Sequence, residues 1–180
     1  MIRGFEVVSK YQDQAINLPK RATKQAAGYD FESSVDMVLP SIWRFPFLKA
    51  LSTIKSTKEL SAQEINDANA TLKPYLIPTG IKAFMQPNEV LIIANRSSNP
   101  LKRGLVVPNG IGVIDADYYN NDANEGEIFI QMVNLGITDM KIKKGDRIGQ
   151  GGIFMPYLTT DNDNDDLKQT RSGGFGSSGK

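Results

Sequence analysis

The chain has 180 residues, enough for one domain with a real core. Its 21 Lys and Arg balance 20 Asp and Glu, so charge gives no case for nucleic acid or a membrane surface as partner. Cysteine and histidine are both absent, which excludes thiol catalysis, Cys-ligated metals, disulfides and any His-dependent base or nucleophile. Chemistry here must run on carboxylates, Arg, Lys, hydroxyls, backbone amides or a carboxylate-bound metal. No secretory apolar segment opens the chain and no apolar run approaches membrane-spanning length, so a soluble cytoplasmic protein is expected.

Residues 2–8, IRGFEVV, read as a first strand, and Leu18-Pro19-Lys20-Arg21 as an extended or turning connection. In AAGYDFES (26–33) a glycine turn feeds a short strand carrying Asp30, and DMVLP (36–40) reads as a strand ended by proline. Residues 41–73 change character. PFLKALSTIKS and SAQEINDANATLK carry helix formers and no glycine, and Ser61 with Glu64 fits a capping box. Pro74 cannot continue a helix, so 42–73 reads as a helical insertion between two strands. From Tyr75 the β pattern resumes in short Val/Ile-rich runs separated by Gly, Pro, Asn and Asp, the pattern of a sandwich or barrel. The expected organisation is a β-barrel domain over 1–158 with the insertion at 41–73, a polar acidic linker at 159–170, and a glycine-rich arm at 171–180.

The most informative run is NGIGVIDADY, residues 109–118. In an extended chain successive side chains alternate, which would put Asp115 and Asp117 on one face and Ile114 and Ala116 on the other. Taken alone the run reads as a hairpin with Asp supplying turn chemistry at a strand end.

Five short segments stand in one order: AGYDFES, NRSSNP, NGIGVIDADY, GDRIGQGG and RSGGFGSSGK. That order and those residues resemble the five motifs of the homotrimeric dUTPase family (deoxyuridine triphosphate nucleotidohydrolases). The family's motifs are an AGxD turn, an RS(G/S) segment, a GxIDxxY hairpin, an RxxQ segment and a GGFGS(S/T)G tail. The resemblance covers residues 26–40 and 75–180 but not the insertion. It implies an all-β, jelly-roll-like barrel that assembles as a homotrimer with exchanged arms. The implied reaction is Mg²⁺-dependent hydrolysis of dUTP to dUMP and pyrophosphate.

Each matching residue has a role that the resemblance implies. Asp115 is the carboxylate that orients and activates the attacking water, a task an acceptor-only side chain can take without histidine. Asn109 hydrogen-bonds uracil, and cytosine would leave the buried partners unpaired. Tyr118 packs on the deoxyribose and leaves no room for a 2′-hydroxyl, with Ile114 in the same substrate-binding group. Arg96 offers a fixed fork to phosphate oxygens, and Ser97 and Ser98 add hydroxyls and amides, although many family members have glycine in place of Ser98. Gln150 helps to hold the phosphates and the water, Arg147 is a structural partner for a carboxylate, and Asp30 reaches Mg²⁺ through water.

The tail GFGSSG satisfies G-x-G-x-x-G, but the chain stops one residue later and leaves no helix for a dinucleotide. As an arm it makes chemical sense. Phe175 would stack on uracil, Gly176, Ser177 and Ser178 would wrap the outer phosphates, and Arg171 would add charge. Two alternatives remain. A dCTP deaminase of the same barrel type would need a glutamate where IFIQMVN places Gln131. A regulatory protein on a dUTPase scaffold would use the 42–73 insertion to hold a protein partner.

Overall fold

The computed structural model describes residues 1–163 and residue 168. The proposed arm residues Arg171, Phe175, Gly176, Ser177 and Ser178 therefore lie outside the described residues. Twelve strands and two helices are described, and the strands form four small sheets. In chain order the strands are β1 Gly4–Val7, β2 Lys20–Arg21, β3 Tyr29–Glu32 and β4 Met37–Leu39. After the helices α1 Phe45–Lys55 and α2 Ala62–Leu72 come β5 Tyr75–Pro78, β6 Ile81–Phe84 and β7 Glu89–Asn95. The last are β8 Leu105–Val106, β9 Ile111–Asp115, β10 Phe129–Asn134, β11 Met140–Ile142 and β12 Arg147–Pro156.

The largest sheet has the order β2-β3-β12-β7-β9, and a second runs β5-β10-β8. Two-stranded pairs β1-β6 and β11-β4 complete the set. All of these pairings are antiparallel. Strand β12 carries two register shifts, between Arg147 and Gly149 and between Gln150 and Ile153. Such bulges bend a strand and raise its twist. They let β12 serve β3 with its first half and β7 along most of its length, which curls the sheet into the jelly-roll-like barrel.

The sequence encodes the core by period-2 alternation. Along β7, Glu89, Leu91 and Ile93 are buried while Val90, Ile92 and Ala94 are half-buried. Phe31, Leu39, Ile77, Leu91, Ile128, Met132 and Ile148 meet in one hydrophobic cluster. Burying side chains of this kind stabilises a fold by about 1.5–3 kcal/mol each.

The insertion forms as its composition predicts. Ser61 Oγ accepts from the Glu64 amide at 3.3 Å while Glu64 Oε2 accepts from the Ser61 amide at 3.0 Å, so the capping box is complete. Lys49 of α1 reaches Glu64 at 2.9 Å and ties the two helices together. Phe45, Leu48 and Ile54 of α1 and Ile65 of α2 remain exposed.

Glu64 yields a pH prediction. The Lys49 ammonium, then the Ser61 amide and hydroxyl, lower its pKa from 4.5 to about 2. A depressed carboxylate contributes stability that is full above its unfolded value and lost as pH falls through the folded one. Helical signal in far-UV circular dichroism should therefore drop between about pH 4.5 and about pH 2. Glu64→Gln should start lower and lose that step. An identical acid profile in the variant would remove the Lys49–Glu64 link from helix stability.

Candidate active site

The run 109–118 does not form a hairpin of paired strands with the segment before it. β8 pairs with β10, whereas β9 pairs with β7, so the two arms of the turn enter different sheets. The turn closes through the Gly110 amide on the Val107 carbonyl at 3.1 Å and the Ile111 amide on the Asn109 carbonyl at 2.8 Å. Gly110 stands at φ 72°, a left-handed value that suits glycine. A cleft of about 220 Å³ opens where the two sheets part. It is lined by Asn109, Gly112, Val113 and Ile114 of the turn and β9, by Ile93 of β7, and by Phe129, Ile130 and Gln131 of β10. Tyr118 and Val107 complete it.

Three of the residues expected to bind base and sugar, Asn109, Ile114 and Tyr118, thus share one cleft. Asp115 is exposed and follows pocket-lining Ile114 in the chain. The expectation that Asp115 and Asp117 share a strand face is corrected. Strand β9 stops at Asp115, and a single 3₁₀ turn over Ala116–Tyr118 replaces the extended backbone, so alternation no longer applies at Asp117. That turn is what swings Tyr118 inward, to 5% exposure.

A second group lies elsewhere on the large sheet. Asp30 of β3 and Gln150 of β12 are register partners, and Gln150 also faces Ala94 of β7. Asp30 is 8% exposed and sits between two guanidinium groups: Arg96 Nε lies 3.2 Å from Oδ1, and Arg147 Nη1 donates to Oδ2 at 3.2 Å. Arg96 Nη1 also donates to the Arg147 carbonyl at 3.4 Å. Two positive charges on one carboxylate leave a net positive charge here, which favours an anion.

Ser97 is exposed and Ser98 opens a short π-helical turn over Asn99–Arg103. Asn99, which sequence reasoning passed over, holds this segment. It is fully buried, and its Nδ2 donates to Asn95 Oδ1 and to the Ile148 carbonyl, both at 2.8 Å. Phe129 and Gln131 were also missed as cleft-lining residues. Their signal was alternation in β10, where both are half-buried and Ile130 between them is buried.

Among the described residues no group of three carboxylates could ligate a metal directly. Asp30 Oδ1 accepts no hydrogen bond there despite its burial. That atom is closed to solvent and faces Arg96 Nε at 3.2 Å, so the cluster as it stands presents positive charge rather than an open cation site.

The apolar cleft with its few polar groups suits a flat ring, and the separate cationic strand end suits an anion. The comparisons are more specific. The dUTPase family model matches residues 59–179. The deoxyuridine 5′-triphosphate nucleotidohydrolase of Lactococcus lactis subsp. lactis is 46% identical over 178 residues, covering 99% of this chain and 98% of its own. The crystal structure of the dUTPase from Streptococcus mutans shares 39% identity with a TM-score of 0.68, covering 88% of this chain and 99% of that one. A variant of the dUTPase from phage phi11 of S. aureus, whose structure details the coordination of a structural Mg(II) ion, has a TM-score of 0.60. At 17% identity over 91% of this chain and 96% of its own, it bears on the fold alone. The chain belongs to the dUTPase family.

Asn99 provides a test of how the Arg96 segment is held. Asn99→Ala leaves the buried Ile148 carbonyl without its donor, so urea unfolding should show a loss of about 1–3 kcal/mol. Affinity for dUTP should fall with it, because Arg96 loses its support. A variant with unchanged unfolding midpoint and affinity would show that Asn99 is dispensable.

Proposed function

We propose that the cleft and the arginine cluster are two halves of one site, contributed by different copies of the chain, at which this dUTPase hydrolyses dUTP to dUMP and pyrophosphate. Such a reaction keeps uracil out of DNA and supplies dUMP for dTMP synthesis, and the cytoplasm is where we place it.

The supporting observation is the register on β7. Asp115 faces Val90, while Gln150 faces Ala94 from the opposite edge of the same strand. That separation is about 13 Å along β7 and about 9.5 Å across two strand spacings. Two groups that hold one water lie within about 5.5 Å of each other. Side chains on a sheet stand roughly perpendicular to it, so they do not close such a gap. Asp115 and Gln150 of one chain therefore do not share a water, and a shared water would take those of neighbouring chains. This supports the homotrimer that the family resemblance implies.

In that site Asn109 reads the uracil edge, and Ile114 and Tyr118 pack on base and deoxyribose. Arg96, Ser97 and Ser98 hold the phosphates, with Gln150 helping to place the water. Arm residues Arg171, Gly176, Ser177 and Ser178 close on the phosphates, and Phe175 covers the base. The water oxygen bonds to the α-phosphorus, Asp115 takes the proton, and the bond to the bridging oxygen breaks to release pyrophosphate. Mg²⁺ bound with the triphosphate would supply charge neutralisation on its oxygens, and Asp30, held by Arg96 and Arg147, would reach it only through water and with the Arg96 contact opened. Most of the rate then comes from positioning and electrostatics.

Deamination gains no support. Gln131 lines the cleft where a deaminase would need a proton-accepting carboxylate. A protein partner at the insertion is favoured by its exposed Phe45, Leu48 and Ile54. Turnover that survives Phe45→Ser with Ile54→Ser would separate such a role from catalysis.

The two-copy site makes a complementation prediction. Asp115→Asn should keep the fold and dUTP binding but lower kcat by about 10²–10⁴. Removing residues 171–180 should leave a folded trimer that binds dUTP weakly and turns it over far more slowly. Mixing the two inactive variants and allowing subunit exchange should restore part of the activity. Mixtures that stay inactive after confirmed exchange would overturn the shared site.

A further inference from the structure

The buried phenol of Tyr118 is held at its far end by a loop to which no role in the reaction has been given. Its hydroxyl donates to the Glu127 carbonyl at 2.9 Å and accepts from Asn124 Nδ2 at 2.8 Å. Both partners lie in residues 119–128, which lead from the 3₁₀ turn into β10. Asn124 is fixed in turn, because its Oδ1 accepts from Asn121 Nδ2 at 2.9 Å and from the Gly126 amide at 3.0 Å. Asn121 is buried and Nδ2 also donates to the Tyr118 carbonyl at 2.8 Å. The loop therefore grips Tyr118 at both its backbone and its hydroxyl.

Three residues of the loop adopt left-handed backbone: Asn120 at φ 55°, Glu125 at 57° and Gly126 at 80°. A Cβ on Gly126 would stand 2.5 Å from the Tyr118 carbonyl oxygen, a backbone clash that no side-chain rotation relieves. For Glu125 the left-handed conformation is unfavourable. Its carboxylate accepts from the Ser9 amide at 3.1 Å and from the Ser9 hydroxyl, and Lys82 Nζ lies 3.5 Å away. Contacts with the N-terminal segment thus hold the loop in an otherwise disfavoured form. Strain maintained in this way is a mark of pre-organisation.

We infer that Asn124 is a positioning residue for sugar selectivity: by clamping the Tyr118 hydroxyl against the Glu127 carbonyl, it fixes the ring as the wall that excludes a 2′-hydroxyl. The inference rests on the reading of Tyr118 as the sugar-facing wall of the cleft. The hydroxyl is the point of the ring furthest from its Cα, so a restraint there limits tilting more than any contact near the backbone. Losing it lets the ring swing aside and admit ribose. The side chain of Asn124 bonds to Tyr118, Asn121 and Gly126, so its loss leaves the bonds of Asn109 and Asp115 untouched.

The test compares kcat/KM for dUTP and UTP in four variants of the full chain. Asn124→Leu should raise UTP use relative to dUTP by about five- to tenfold, the scale of one lost hydrogen bond, chiefly through a lower KM for UTP. Tyr118→Phe, which keeps the ring and loses only the hydroxyl, should shift the ratio to a similar extent. The double variant should go no further than either single one, because both remove the same clamp. Tyr118→Ala should relax the ratio most. A wild-type ratio in Asn124→Leu or in Tyr118→Phe, beside a relaxed Tyr118→Ala, overturns the clamp and leaves the wall intact. Additive shifts in the double variant also overturn it, since Asn124 would then act otherwise than through the hydroxyl. An unmoved ratio in Tyr118→Ala overturns the wall and the clamp together. Should Asn124→Leu fail to fold, Tyr118→Phe alone still decides the role of the hydroxyl.

Discussion

The hydrogen-bond ladder on strand β7 is the constraint on which the rest depends. Its two edges are occupied by β12 and β9, and the pairing fixes how far along the strand Gln150 and Asp115 fall. An extended strand neither shortens nor bends enough to bring its ends together. Asp115 therefore stands beside the cleft at one end of the ladder, and Arg96 emerges past the other. Under the proposed function, a chain built this way places the water-holding carboxylate and the phosphate-holding cations on different surfaces. On that proposal assembly of copies is a condition of chemistry, and activity would depend on protomer concentration as a folded oligomer does.

Without histidine or cysteine, and with no protein-built metal cage among the described residues, the chain relies on placed charges and on buried amides. Asp30 illustrates the first. It meets Arg96 and Arg147 together, so it orders both cations while leaving the cluster positive. Buried asparagines supply the second. Asn99 fastens the Arg96 segment to the Ile148 carbonyl, and Asn121 fastens the loop after Tyr118. Asn134 donates to the Leu39 and Thr138 carbonyls where the chain leaves for the insertion. Each satisfies backbone groups that irregular segments cannot pair in a ladder. Functional segments can then remain irregular and still be fixed in position.

Local chemistry was legible wherever one residue or one period decides the outcome. Alternating Val and Ile gave the strands, the Ser61–Glu64 pair gave the start of α2, and Pro74 its end. The order of five short segments pointed to the dUTPase family, because each combines side chains with a definite affinity for base, sugar, phosphate or water. The pairing of the 105–118 turn was not legible. The run 109–118 reads as a hairpin, since nothing in a short run records that the strands on either side of its turn pair in different sheets. The end of β9 at Asp115 was hidden for a similar reason. The choice of a 3₁₀ turn at Ala116–Tyr118 depends on burying the Tyr118 ring, a contact made with distant segments.

What the sequence determined by itself is therefore the inventory: which groups can accept a proton, hold a phosphate or stack on a ring, and which segments extend or coil. These follow from side-chain chemistry and from φ/ψ preferences, both properties of a few consecutive residues. Only the tertiary structure decided their company. The Asn109–Ile114–Tyr118 cleft, the Asp30–Arg96–Arg147 cluster and the grip of Asn124 on Tyr118 join residues through strand register and loop closure. Register is fixed by pairing between segments far apart in the chain, and a one-residue slip would invert every face.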